Sequence, residues 1–220
     1  MGKIKNKIVN ENILYDESLS FMSLVESAWR VLGLVLLHSF KYRELMTIRL
    51  VRRALGFTTL LWVRGAKHDA LYDTTIPTEI KSAVVTTKEG NLKLNFKFQF
   101  DKVHEEGRLE EIREHMHHLI LAGFDGPAPN PEFVIVIKNK AVIEEITWGL
   151  LVEEQKRIRE KKKLHPRNRD AASMTSHYLF NILSLVTEDI IIIDKEANII
   201  TNTEFLVKFN AGLVDNARAA

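Results

Sequence analysis

The chain contains no cysteine among its 220 residues. That excludes a disulfide framework and any zinc centre built on thiolates. It also lacks a long apolar run. The most apolar stretch, from Val31 to Leu37, falls far short of the roughly 20 residues needed to cross a bilayer. No apolar segment follows Met1-Gly2-Lys3, so nothing there reads as a secretory signal. The expectation is a cytoplasmic protein with no membrane partner. An excess of one charge is missing too: 31 Lys and Arg stand against 29 Asp and Glu, a net of +2. Overall charge therefore does not mark a nucleic-acid binder, and any such binding must come from local clusters. There is no internal repeat and no low-complexity linker. What is present, 45% hydrophobic and 27% charged residues, suffices for one domain with a packed core.

Residues 1–16 are polar and read as a lead-in arm. Apolar residues at helical spacing predict a helix over Phe21–Phe40 and a second over Arg43–Leu55. The second carries Leu45, Ile48, Leu50, Val51 and Leu55 inward and Arg43, Arg49, Arg52 and Arg53 mostly outward, and Gly56 stops it. Strands are expected at Phe57–Val63, Asp69–Tyr72 and Pro77–Thr87. From Leu92 to Phe100 apolar and polar residues alternate strictly, the pattern of a half-buried antiparallel strand. A helix is expected over Glu105–Ala122, with Leu109, Ile112, Met116, Leu119 and Ile120 as its apolar stripe. A buried strand is expected over Phe133–Ile137. Beyond it, Ala141–Arg159 and Ser173–Leu185 read as helices, Asp189–Asp194 and Asn198–Thr201 as a hairpin, and Glu204–Phe209 as a last helical turn.

The stretch KHDALYDTTIPTEIKSA, Lys67 to Ala83, concentrates the chemistry. Alternate strand residues share a face, so Glu79 and Lys81 project side by side. The turn residues Asp73, Thr74 and Thr75 fold the chain back and bring Asp69 towards Glu79. Two carboxylates and an ammonium on one sheet face are a plausible Mg²⁺ site, with the lysine left to face a phosphate or a metal-bound water. Asp73, only six residues before Glu79 and inside the turn, is the weaker ligand candidate. Two other E-x-K matches, Glu154/Lys156 and Glu160/Lys162, fall in a charged helical run where such spacing arises by chance.

The pattern D-x9-E-x-K on a hairpin, Asp69 with Glu79 and Lys81, resembles the active-site signature of the PD-(D/E)xK nuclease superfamily. His68 stands where that signature usually has proline. The resemblance implies an α+β fold with an αβββαβ core, a central mixed sheet flanked by helices. The element order read above agrees with that core over residues 17–140, with one strand more than it needs before the second helix. The resemblance also implies Mg²⁺ held by Asp69, Glu79 and the backbone carbonyl of Ile80. Glu44, from the first core helix, is a further candidate ligand. The expected activity is that of a type II restriction enzyme, a homodimer cutting double-stranded DNA at a palindromic site. The alternatives are a structure-specific repair or recombination nuclease of the same fold, and a DNA-binding module that does not cut.

Residues 141–220 lie outside the resemblance and read as an extension of the same domain for target recognition or dimerisation. Within it, Lys156 to Arg169 carries eight basic residues against one acid, Glu160. Lys161, Lys162 and Lys163 are expected to meet phosphates, and Arg167, Asn168 and Arg169 to reach base edges. Arg43 belongs to a second positive face. A histidine–glutamate cluster (Glu111, Glu114, His115, His117 and His118) has helical i,i+3 and i,i+4 spacings that can bind zinc. H-E-x-x-H is absent from it, and a solvated helix face is the better reading.

Overall fold

A computed structural model describes residues 40–62, 68–86, 95–126, 131–164 and 171–208. The arm 1–16, the helix expected to begin at Phe21 (except Phe40), and the segment holding Arg167, Asn168 and Arg169 lie outside these residues.

Helix α1 (Phe40–Leu55) is followed by β1 (Leu60–Trp62), β2 (Ala70–Tyr72) and β3 (Ile76–Val84), an antiparallel meander. Then come β4 (Lys97–Phe100), α2 (Arg108–His115) and β5 (His118–Phe124). Strand β5 returns parallel to β3, in register from Thr78↔His118 to Val84↔Phe124. Strand β6 (Pro131–Ile137) follows, antiparallel to β5. Next is a long interrupted helix: α3 (Lys140–Glu144), a π-helical segment (Glu145–Leu150) and α4 (Leu151–Leu164). The chain continues through β7 (Ala172–Thr175), α5 (Ser176–Leu185), β8 (Ile190–Asp194) and β9 (Ile199–Ile200), with a last helical segment over residues 202–208. The fold is α+β, built on a mixed seven-stranded sheet in the order β1-β2-β3-β5-β6-β8-β9.

The extra strand expected before the second helix is β4. It leaves the central sheet and pairs with β7 in a separate two-stranded ribbon. Its alternation is as read: Phe96, Phe98 and Phe100 are buried while Lys97 and Gln99 are exposed. The central sheet thus has the order helix, three antiparallel strands, helix, parallel strand.

Period-2 alternation sends the side chains of each central strand to two separate cores. Ile120, Ala122, Val134, Val136 and Ile80 pack with Ile48 and Val51 of α1. Leu119, Leu121, Phe133, Ile135 and Ala83 pack on the opposite face, with the phenylalanines of β4 and residues of α2 to α5. Glu79 and Lys81 share strand parity with Ala83, so they project towards this second layer and away from α1.

Four expectations are corrected. The helix expected over Glu105–Ala122 stops at His115, and Leu119 and Ile120 belong to β5. The run Leu119 to Ala122 is buried on both faces of the sheet, which a continuous apolar stretch satisfies and an amphipathic helix does not. Because the helix ends there, His117 and His118 leave the helical spacing of the histidine–glutamate cluster. Residues 172–175, expected to open or precede a helix, form β7, which supplies β4 with its partner strand. Arg52, expected on the outside of α1, is buried: its Nε donates to the Leu60 carbonyl at 2.5 Å and its guanidinium lies 4.8 Å from the Phe57 ring centroid.

Candidate active site

The β2–β3 turn sets the geometry. Asp73 and Thr74 take left-handed conformations, φ 45° and 67°, and the Thr75 N–H donates to the Tyr72 carbonyl at 3.2 Å. Such turns match the twist of the flanking strands. The hairpin registers Ala70 against Thr78, which leaves Asp69, one residue before β2, level with the middle of β3. There Asp69 Oδ2 accepts the Ile80 N–H at 2.8 Å. Lys81 Nζ donates to Glu79 Oε1, and both side chains are partly buried. The three predicted residues therefore come together. Asp73 stays in the exposed turn.

A strand residue sends its N–H and C=O to the same edge. The Ile80 carbonyl thus leaves β3 on the edge from which its N–H meets Asp69, away from β5. Among the described residues, Asp69 Oδ1 and Glu79 Oε2 accept no hydrogen bond. Two carboxylates with one uncommitted oxygen each, beside a free-edge carbonyl, fit a hard divalent cation that keeps several waters. No three His, Asp or Glu side chains among the described residues form a cage, so a cation here would be held by few protein ligands.

The electrostatics agree with a site short of positive charge. Burial, and then the negative charge of Glu79, push the Asp69 carboxyl up to about 6; Lys81, the Ile80 N–H and Arg108 act against this. Burial alone would lower the Lys81 ammonium, but the charges of Glu79 and Asp69 and the hydrogen bond to Glu79 outweigh it, and its pKa stands above the ordinary value. The depressed lysine that burial beside a cation would give is not what the protein's own groups produce. Lys81 also lies 5.5 Å from the ring centroid of Phe100.

Sequence reasoning missed several neighbours. Phe100 of β4 covers Lys81. Arg108, which pairs with Glu111 at 2.7 Å, carries its charge near Asp69. The rings of His68 and His115 lie 6.0 Å apart. Burial, then His115, lowers the His68 pKa against the pull of Glu79. Only His68 had a signal, its place next to Asp69; the others arrive through tertiary contact.

The remaining candidates lie elsewhere. Glu44 is on α1, whose core residues pack on the face opposite Glu79 and Lys81. Arg43 lies 5.6 Å from the Phe124 ring centroid, and burial lowers its pKa. Glu154, Lys156, Glu160 and Lys162 all sit on α4, where residues two apart do not share a face. Glu154 pairs instead with Arg157. Lys161 and Lys163 are exposed, whereas Lys162 Nζ lies 2.8 Å from His104 Nε2.

No family model matches the chain, and no curated protein matches it. No helix among the described residues is long and apolar enough to cross a membrane.

Proposed function

We propose that this chain is a Mg²⁺-dependent endonuclease of the PD-(D/E)xK kind, hydrolysing phosphodiester bonds in double-stranded DNA. The observation that carries the reading is the Asp69–Ile80 hydrogen bond, which fixes one carboxylate against the centre of Glu79-Ile80-Lys81. The order of central-sheet elements, helix, three strands, helix, parallel strand, supports it further.

Bound at Asp69, Glu79 and the Ile80 carbonyl, Mg²⁺ would supply charge neutralisation and an acidified water. The chain's own part is positional. Asp69 and Glu79 fix two acceptors on one sheet face. Lys81, hydrogen-bonded to Glu79 and within the field of Asp69, would donate to charge developing on the phosphate. The Phe100 ring lies 5.5 Å from its ammonium.

Within this reading the protein is a cytoplasmic type II restriction enzyme acting as a homodimer, since a palindrome needs two sites related by a two-fold axis. A structure-specific nuclease and a non-cutting DNA binder remain the rivals. Digestion of sequenced phage DNA, and separately of branched junctions, with and without Mg²⁺ tests all three. Discrete fragments support the restriction enzyme, cutting confined to branched DNA supports the repair nuclease, and binding without cutting supports the module.

A further inference from the structure

Between the C-terminal end of α2 and the π-helical segment lies a cavity of about 520 Å³. That is within the size range of small-molecule sites. None of its lining residues belongs to the Asp69–Glu79–Lys81 cluster. Its wall joins Arg113, His117, His118, Lys138 and Lys140 to the indole of Trp148. The one acid in the lining, Glu144, is matched by Lys140 at 3.7 Å. Lys138 makes no ion pair among the described residues. Its ammonium lies 5.6 Å from the Tyr72 ring centroid, and the Tyr72 and His118 rings meet edge to face at 5.0 Å. His118 Nδ1 is shut off from solvent and has no hydrogen-bond partner among the described residues. Burial, then the positive charge of Lys138, lowers the His118 pKa.

Trp148 supplies the other half. The tryptophan is 59% exposed, an unusual state for so large a ring, and the Arg113 guanidinium carbon lies 3.2 Å from its ring centroid. Arg113 covers part of the ring, and more than half of the residue stays open to solvent. The residue sits in the π-helical segment, and single-turn π insertions recur at functional sites. Lys138, together with Arg113, whose acidic neighbour Glu110 is largely exposed and 4.0 Å away, beside a largely exposed indole suits a ligand that is both anionic and planar.

We propose that this cavity binds a nucleoside 5′-phosphate unit, the base stacked on Trp148 and the phosphate set against Lys138 and Arg113. The unit is either a free nucleotide or the 5′ end of a strand, since both present the same chemistry. The site is independent of the nuclease reading.

Calorimetric titration of the full chain tests it, using adenosine 5′-monophosphate, adenosine, inorganic phosphate, and 5′-phosphorylated and 5′-hydroxyl single-stranded oligonucleotides. The nucleotide is expected to bind at least about tenfold more tightly than adenosine or phosphate alone, and more weakly as salt is raised. Lys138→Ala and Trp148→Ala should each cost about tenfold or more, and Lys138→Arg and Trp148→Phe much less. Tighter binding of the phosphorylated oligonucleotide than of the nucleotide assigns the site to strand ends; the reverse order assigns it to free nucleotides. Absence of nucleotide binding, phosphate binding as tight as nucleotide binding, or affinity unmoved in both alanine variants overturns the proposal. Circular dichroism checks that each variant folds, and the comparison of ligands on the unaltered chain stands without them.

Discussion

Asp69 and Ile80, eleven residues apart, are joined by a 2.8 Å hydrogen bond from the Ile80 N–H to the Asp69 carboxylate. The bond sets one acid against the backbone of the residue between Glu79 and Lys81, and this placement has a thermodynamic signature. The Asp69 pKa is raised from 3.8 to about 6 by burial and by Glu79. A carboxyl raised on folding contributes stability that is present below its unfolded pKa and lost as pH climbs through the folded one. In chelator, therefore, the Asp69 contribution should fade between about pH 4 and about pH 6. Asp69→Asn removes that loss, so its stability relative to the parent should rise by roughly 2–3 kcal/mol from pH 4 to pH 7.5. Urea denaturation at the two pH values measures it. An unchanged difference would contradict the buried, carboxylate-flanked placement of Asp69.

Lys81 is separated from the other E-x-K lysines by its surroundings. Lys81→Ala should lower cleavage by about 10²–10³-fold or more, because a donor aimed at developing charge is removed. Glu154→Ala and Glu160→Ala, on α4, should leave cleavage near the parent rate. Single-turnover kinetics in Mg²⁺ compares them, and the opposite ranking would move the site to α4.

How much of this was legible in the sequence depended on whether the deciding contact was local. The hairpin Asp69 to Lys81 follows from its turn residues and from strand alternation, and the structure places it as read. Strand β5 is hidden in the sequence because Leu109, Ile112, Met116, Leu119 and Ile120 keep helical spacing across the break at Met116. The burial of Leu119 to Ala122 on both faces comes from neighbours far along the chain. The same holds for β7, whose strand conformation depends on β4, and for Arg52, whose burial depends on Leu60 and Phe57. Phe100, Arg108 and His115 reach the site only through packing, so no spacing announces them.

Gly123 is required by one such contact. A Cβ there would stand 2.3 Å from the ring of Phe133, its cross-strand partner, and 2.8 Å from Val85 Cγ1. Gly123→Ala should therefore cost about 1–3 kcal/mol by overpacking. Adding Phe133→Leu should recover part of that loss. Thermal unfolding of the two variants measures both effects, and a Gly123→Ala protein as stable as the parent would contradict the strand register at β5 and β6.

The end of α4 divides the lysines. Lys161 and Lys163 face solvent, while Lys162 is held at His104. Each phosphate contact on duplex DNA adds about 0.9 to the magnitude of the log–log salt slope. Neutralising Lys161 and Lys163 together should flatten the slope by up to about 2 per subunit, equally for cognate and scrambled duplexes. A salt series in Ca²⁺ reads it. An unchanged slope would assign this helix end to solvated surface alone.

Cleavage and binding measured side by side on Asp69→Ala and Glu79→Ala test the central claim most directly. Both variants should lose Mg²⁺-dependent cleavage of duplex DNA. Both should still bind the duplex in Ca²⁺ about as tightly as the parent or more so, because a negative charge facing the phosphate is gone. Full cleavage by either variant at ordinary Mg²⁺ would contradict the account.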